Sequence, residues 1–108
     1  MWKVKFYKTV RGDFPVNRFI EDLEMRLAAK ISQSINLLSN NGPFLKPPDV
    51  KKLQGDLYEL RIRGRIPIRV FYTIVGNEYY LLHAFKKKSQ KTPSKELKVA
   101  VDRLKELI

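Results

Sequence analysis

Four side chains in the second half of the sequence can do chemistry together: Arg61, Arg69, His83 and Lys87. Arginine presents a planar fork of donors that matches two oxygens of a phosphate. Lysine adds a point charge whose pKa falls when other cations crowd it. Histidine titrates near neutrality and can move a proton, although a lone strand histidine is more often structural. Together they suit an anionic phosphodiester. Cysteine is absent and His83 is the sole histidine, so a thiol nucleophile, a disulfide framework and the usual His- or Cys-rich metal centre are excluded. No metal or cofactor is expected.

These residues share a surface only if the segments carrying them are strands. Leu57 to Arg63, Ile66 to Ile74 and Glu78 to Lys86 each read as a strand, with Gly64 and Gly76-Asn77 between them, giving a three-stranded meander. Strand side chains alternate faces. Tyr58, Leu60 and Ile62 then fall on one side with Ile68, Val70, Tyr72 and Ile74, and with Tyr80, Leu82 and Ala84. Glu59, Arg61 and Arg63 fall on the other, with Arg69, Phe71 and Thr73, and with His83, Phe85 and Lys87. Parity allows Leu60 opposite Ile68, which sets Glu59 against Arg69. It also allows Val70 opposite Leu82, which sets Arg69 against His83. A bulge would shift this register. The basic face reads as a phosphate-binding floor, with Phe85 available to stack on a base. It reads equally as a solvated sheet face in which Glu59 satisfies Arg69.

The remaining elements must back this sheet. Trp2 to Tyr7 alternates like a strand. Asp13 is placed to cap a helix starting near Pro15. Phe19, Ile20 and Leu23 make one apolar stripe and Leu27, Ile31, Ile35 and Leu38 another, which points to two helices joined near Glu24-Met25. Asn40-Asn41-Gly42-Pro43 stops the second helix. Residues 43–56, with Pro43, Pro47 and Pro48, read as loop. Thr92-Pro93 opens a last helix whose apolar face is Leu97, Ala100, Val101, Leu104 and Ile108. The expectation is one domain over residues 1–108: an α+β fold ordered strand, helix, helix, three-stranded meander, helix, with an antiparallel-rich sheet and the helices on one face.

Charge narrows the partner. The chain of 108 residues has 22 Lys and Arg against 11 Asp and Glu, a formal net charge of +11. Between Ile62 and Lys91 the bases are Arg63, Arg65, Arg69, Lys86, Lys87, Lys88 and Lys91, and the only acid is Glu78. A field of that sign draws in polyanions, nucleic acid foremost. Lys51, Lys52, Arg63, Arg65, Lys86, Lys88 and Lys91, with Phe85, are the candidate RNA-binding residues around the central four. An acidic protein partner and an anionic lipid surface are the other anions this charge would suit. The last helix has ordinary core-type amphipathicity, which argues against a membrane. With no signal-like start and no apolar stretch near a membrane span, the chain is expected to be soluble and cytoplasmic.

Three segments carry a family resemblance. Leu53-Gln54-Gly55-Asp56-Leu57-Tyr58-Glu59-Leu60-Arg61 resembles a characteristic segment of the HigB-like branch of RelE/ParE toxins, a branch that includes phage-derived toxin-like proteins. Ile68-Arg69-Val70-Phe71-Tyr72 is similar to the family's arginine-bearing strand. The run from Leu81 through His83, Phe85 and Lys86-Lys87-Lys88 to Pro93 is similar to its basic C-terminal segment, and Glu96, Ala100 and Arg103 fit the helix that follows. The resemblance implies a toxin neutralised by a cognate antitoxin, in this branch often a helix-turn-helix DNA-binding protein. It implies a metal-independent endoribonuclease that cuts messenger RNA at the ribosome. Arg69 matches the family's strand arginine and would stabilise the phosphate, with Arg61 positioning it and Lys87 handling protons. Glu59 reads as a partner that orients an arginine rather than as a base. One departure stands out: Ser89 to Leu97 has no tyrosine, a residue many relatives carry there. Phe85 can replace its stacking but not its proton transfer. The alternative is a non-catalytic protein, either a ParE-like gyrase inhibitor or an inactive phage-derived relative.

Overall fold

The computed structural model describes residues 1–88, 91 and 93–107. It contains β1 (Lys3–Phe6), α1 (Pro15–Glu21), α2 (Met25–Asn41), a short 3-10 turn (Gly42–Phe44), β2 (Val50–Gln54), β3 (Leu57–Ile62), β4 (Ile68–Val75), β5 (Glu78–Lys86) and α3 (Ser94–Leu107). The strands form a single sheet ordered β1-β5-β4-β3-β2. β2 to β5 run antiparallel as a meander, and β1 joins the β5 edge in parallel.

The α+β class and the element order match the sequence reading, and three details differ. The first is β2, in the segment read as loop. It is an edge strand with two consecutive lysines, and a bulge between Lys52 and Gln54 shifts its register. Val50 packs into one core and Leu53, three residues on, into the other, as strand alternation places them. The meander therefore has four strands rather than three.

The second is the start of α1. The helix begins at Pro15 as expected, but Phe14 occupies the cap position without a side-chain bond. Asp13 instead belongs to a turn, its backbone N–H donating to Thr9 Oγ1 at 3.0 Å. Thr92, the expected cap of α3, lies outside the described residues, as does Ile108.

The third is the placement of the helices. They do not share one face. α1 and α2 cover a core of Leu60, Ile62, Ile68, Val70, Tyr72, Leu81 and Ala84. α3 lies on the opposite face, where Leu97, Ala100, Val101, Leu104 and Leu107 meet Leu57, Phe71 and Leu82. The sheet is apolar on both sides over much of its area, and a single helical layer would leave Phe71 and Leu57 in water.

Register follows the same logic. Parity holds but the pairs slide by two: Leu60 faces Val70, and Val70 faces Ala84. A bulge between Phe71 and Tyr72 then advances β5 by one residue, so that Phe71 faces His83 while Tyr72 faces Leu81. Tyr79 and Leu81 thereby turn into the α1/α2 core, and Leu82 turns toward α3.

The halt of α2 is steric as well as conformational. Gly42 has a positive φ of 50°, and a Cβ there would strike the Trp2 indole. Among the described residues no helix is long and apolar enough to cross a membrane.

Candidate active site

Arg61 and Arg69 are direct cross-strand partners, near the end of β3 and the start of β4. They therefore project from the same face, the one α3 partly covers. Two like charges placed opposite each other in a sheet repel. Glu59, two residues before Arg61 on the same face, offsets this. Its Oε1 lies 3.2 Å from Arg61 Nε and 3.8 Å from Arg69 Nε. Neither approach is aligned as a hydrogen bond: both Nε atoms and the second carboxylate oxygen, Oε2, are buried without a hydrogen-bond partner among the described residues. Glu59 is 1% exposed and Arg69 8%. Arg69 is also held by a bond from Nη1 to the Ile68 carbonyl at 3.1 Å. Burial lowers its pKa, with Glu59 opposing and Arg61 adding to the shift.

Two lysines complete the cluster. Lys51 in β2 pairs with Glu59 and so shares its face. Lys87 follows β5, and its backbone N–H donates to the Pro67 carbonyl at 2.8 Å, which brings it beside the start of β4. Partial burial lowers its ammonium pKa and the charge of Arg69 lowers it further; Glu59 opposes the shift, and Arg61 and Lys51 add to it. An ammonium so placed gives up its proton more readily than an ordinary lysine. The gathered set is Lys51, Arg61, Arg69 and Lys87 around one carboxylate.

His83 and Phe85 lie on the same face but are occupied. Phe85, opposite Arg69, is 6% exposed and sits edge-on to Phe71, with ring centroids 5.2 Å apart. It also stacks on His83 at 5.8 Å. His83 Nε2 is 2.6 Å from Glu96 Oε1, and Arg103 Nη1 lies 3.4 Å from His83 Nδ1 while donating to the Leu82 carbonyl at 2.7 Å. Arginine only donates, so Nδ1 is the acceptor and Nε2 carries the hydrogen given to Glu96. Neutral His83 thus satisfies both neighbours and pins α3 to β5. Alternation on the strand could not reveal this clamp, because Glu96 and Arg103 reach it from α3.

Burial lowers the His83 pKa, more than Glu96 raises it. The unfolded chain therefore takes up the proton first as the pH falls below the ordinary value of about 6.5. Stability from neutral His83 is full above that pH and is lost as the pH drops through the folded value. Denaturant midpoints at pH 7.5 and 5.5 should fall more for the native chain than for His83→Gln. Equal falls would show that the clamp does not titrate in this way.

Lys52, Lys86 and Arg63 are placed away from the cluster. Lys52 pairs with Tyr58 on the opposite face, its Nζ 5.8 Å from that ring's centroid. Lys86 pairs with Ile68 on that face as well and is exposed. Arg63 sits past the end of β3, 3.9 Å from Asp49, and its carbonyl accepts a bond from Lys30 of α2. Arg65 and Lys91 are exposed, as is the start of the basic run at Lys86. Among the described residues no three His, Asp or Glu side chains converge to hold a metal.

The architecture is that of a small basic α+β domain whose sheet, helix-covered on both faces, carries a paired-arginine cluster. Residues 18–105 match the family model described as phage derived protein Gp49-like (DUF891), and the chain belongs to that phage-derived, toxin-like family. A search of curated proteins finds no match.

Proposed function

We propose that this protein is the toxin of a toxin–antitoxin pair and a metal-independent endoribonuclease that cuts messenger RNA on the ribosome. The observation that carries this reading is the direct opposition of Arg61 and Arg69 on one sheet face, with Lys87 beside them. In the reaction, the ribose O2′ attacks the adjacent phosphorus and the bond to O5′ breaks. The O2′ proton passes to solvent water and another is delivered to O5′, leaving a 2′,3′-cyclic phosphate and a 5′-hydroxyl. Arg69 and Arg61 stabilise the charge gathering on the phosphoryl oxygens, often the largest single contribution in such sites. Lys87, with its lowered pKa, protonates the leaving O5′, a role worth about 10²–10⁴-fold. The net charge of +11 also suits an acidic antitoxin surface that covers this face.

Regulated expression in a bacterium, with mRNA 5′ ends mapped during translation and with translation blocked, tests the reading. Cuts within translated codons that vanish when translation stops are expected; intact mRNA during growth arrest would overturn it. A non-catalytic toxin is the second reading, favoured by His83 and Phe85 being engaged in packing. A DNA-damage response with intact mRNA would select a gyrase-directed form of it.

Replacing Lys87 and Lys88 by alanine should weaken ribosome binding and flatten its salt dependence. Every RNA phosphate that the protein no longer neutralises lowers the log–log slope by roughly 0.7 for a single strand. Binding titrations from low to physiological salt measure this, and an unaltered slope would remove both lysines from the RNA path.

A further inference from the structure

The Glu59 carboxylate is the most deeply buried charge in the molecule's basic cluster, and the reaction just proposed gives it no step. At 1% exposure it is inaccessible to an RNA substrate, which excludes it as a base acting on O2′. Its placement has a different consequence. Oε1 lies against the Nε edge of both arginines, at 3.2 and 3.8 Å, so one atom references two guanidinium groups on adjacent strands. The neighbouring cation on β2, Lys51, sits opposite the same residue. Three positive groups on three strands are thus organised around one point.

Hydrogen bonding in this cluster is incomplete. Arg61 Nε, Arg69 Nε and Glu59 Oε2 are buried with no hydrogen-bond partner among the described residues. Buried polar groups left in that state are costly, so this cluster is not arranged for stability alone. Arg61 nevertheless keeps 28% side-chain exposure against 9% for Arg69, so one arginine meets solvent while the other forms the floor.

We propose that Glu59 is a positioning residue. It holds the Nε edges of Arg61 and Arg69 together from beneath, so that the two side chains present a preset pair of donors to one phosphodiester. This deepens the ribonuclease reading and rests on it for the identity of the ligand. Glu59→Gln keeps the shape and removes the charge. Without the charge the arginines repel and spread, while overall attraction for RNA is retained or strengthened. Rate and binding therefore separate: cleavage falls while affinity does not, a pattern that simple loss of fold would not give.

The test has two arms on the full chain. Side-chain Nε–Hε resonances of Arg61 and Arg69 are followed by NMR in the native protein and in Glu59→Gln, alone and with inorganic phosphate. Two dispersed signals are expected in the native protein. In the variant they should move toward the free-arginine position with the backbone spectrum otherwise intact; unmoved signals would overturn the proposal. In a translation extract, Glu59→Gln should cut mRNA roughly 10- to 100-fold more slowly, the range expected when reacting groups are misplaced by about an ångström. Its RNA affinity should be unchanged or tighter, and a native cleavage rate would overturn the proposal. Should Glu59→Gln fail to fold, Glu59→Asp, which keeps the charge but withdraws it by one methylene, is expected to fold and to show the same slower cleavage. A native rate in that variant would be equally decisive against the idea. If the native protein cuts no mRNA at all, the ribonuclease reading fails, and the NMR arm still decides whether Glu59 sets the arginines.

Discussion

Replacing Arg69 by alanine is expected to abolish growth arrest on induction while leaving a folded protein. Electrostatic stabilisation of a developing phosphoryl charge by a single preorganised donor is typically worth about 10²–10³-fold in rate. Arg69 is placed to supply it from the floor of the cluster, opposite Arg61 and near Lys87. Its loss also removes the bond to the Ile68 carbonyl and leaves Glu59 with Arg61 as its nearby arginine. These are local costs, since the flanking Ile68 and Val70 are fully buried in the α1/α2 core and keep β4 in place. Circular dichroism and a thermal melt establish the fold, and growth curves after induction establish toxicity. A folded variant that still stops growth would remove Arg69 from the mechanism.

The largest expected effect on stability is at Phe71. Its side chain is fully buried on the α3 face, against Phe85, and in the same cluster as Leu82 and Ala100. Phe71→Ala leaves a cavity between α3 and the sheet. Truncations of this kind cost about 3–5 kcal/mol, against a total of about 5–15 kcal/mol for a domain. The melting temperature should drop by on the order of 15 °C or more. Met25→Ala is the control: that side chain is 84% exposed and should shift stability by no more than about 0.5 kcal/mol. A small shift at Phe71 would mean that α3 settles into the vacated space, and that the second core is softer than its burial implies.

The parity of the strands was legible in the residues themselves. Arg61 and Arg69 share a face because each sits one position from a core residue, Leu60 or Ile62 for the first and Ile68 or Val70 for the second. Alternation transmits that parity whatever the register. Register was not legible, because Leu60 fits Ile68 or Val70 equally well and only the packing of the whole sheet chooses between them. β2 escaped notice because Lys51-Lys52 and a bulge hide its two inward residues, Val50 and Leu53. The position of α3 was hidden for a related reason. Phe71 and Phe85 looked like rings on an open floor, whereas they are the apolar bed for a helix that follows later in the chain. His83 followed them: its role is set by Glu96 and Arg103, which strand periodicity does not see. The basic candidates divided by the same rule. Lys51 and Lys87 joined the arginines, while Lys52 and Lys86 were carried by alternation to the other side.

The one-residue slip in β5 has a consequence for how this chain can vary. Before the slip, Tyr79 and Leu81 answer to the first core; after it, His83 and Phe85 border the arginine cluster. A single strand is thereby partitioned into a scaffold half and a working half whose phases are set separately. Leu82 is the extra residue at the slip, so deleting it would give a uniform alternation that keeps Tyr79, Leu81 and Ala84 beneath α1 and α2 and Tyr80, His83 and Phe85 on the other face, at the cost of one buried side chain under α3. Substitutions confined to either half leave the other's orientation untouched, so the chemistry at the far end of the strand can diversify without renegotiating the packing at the near end.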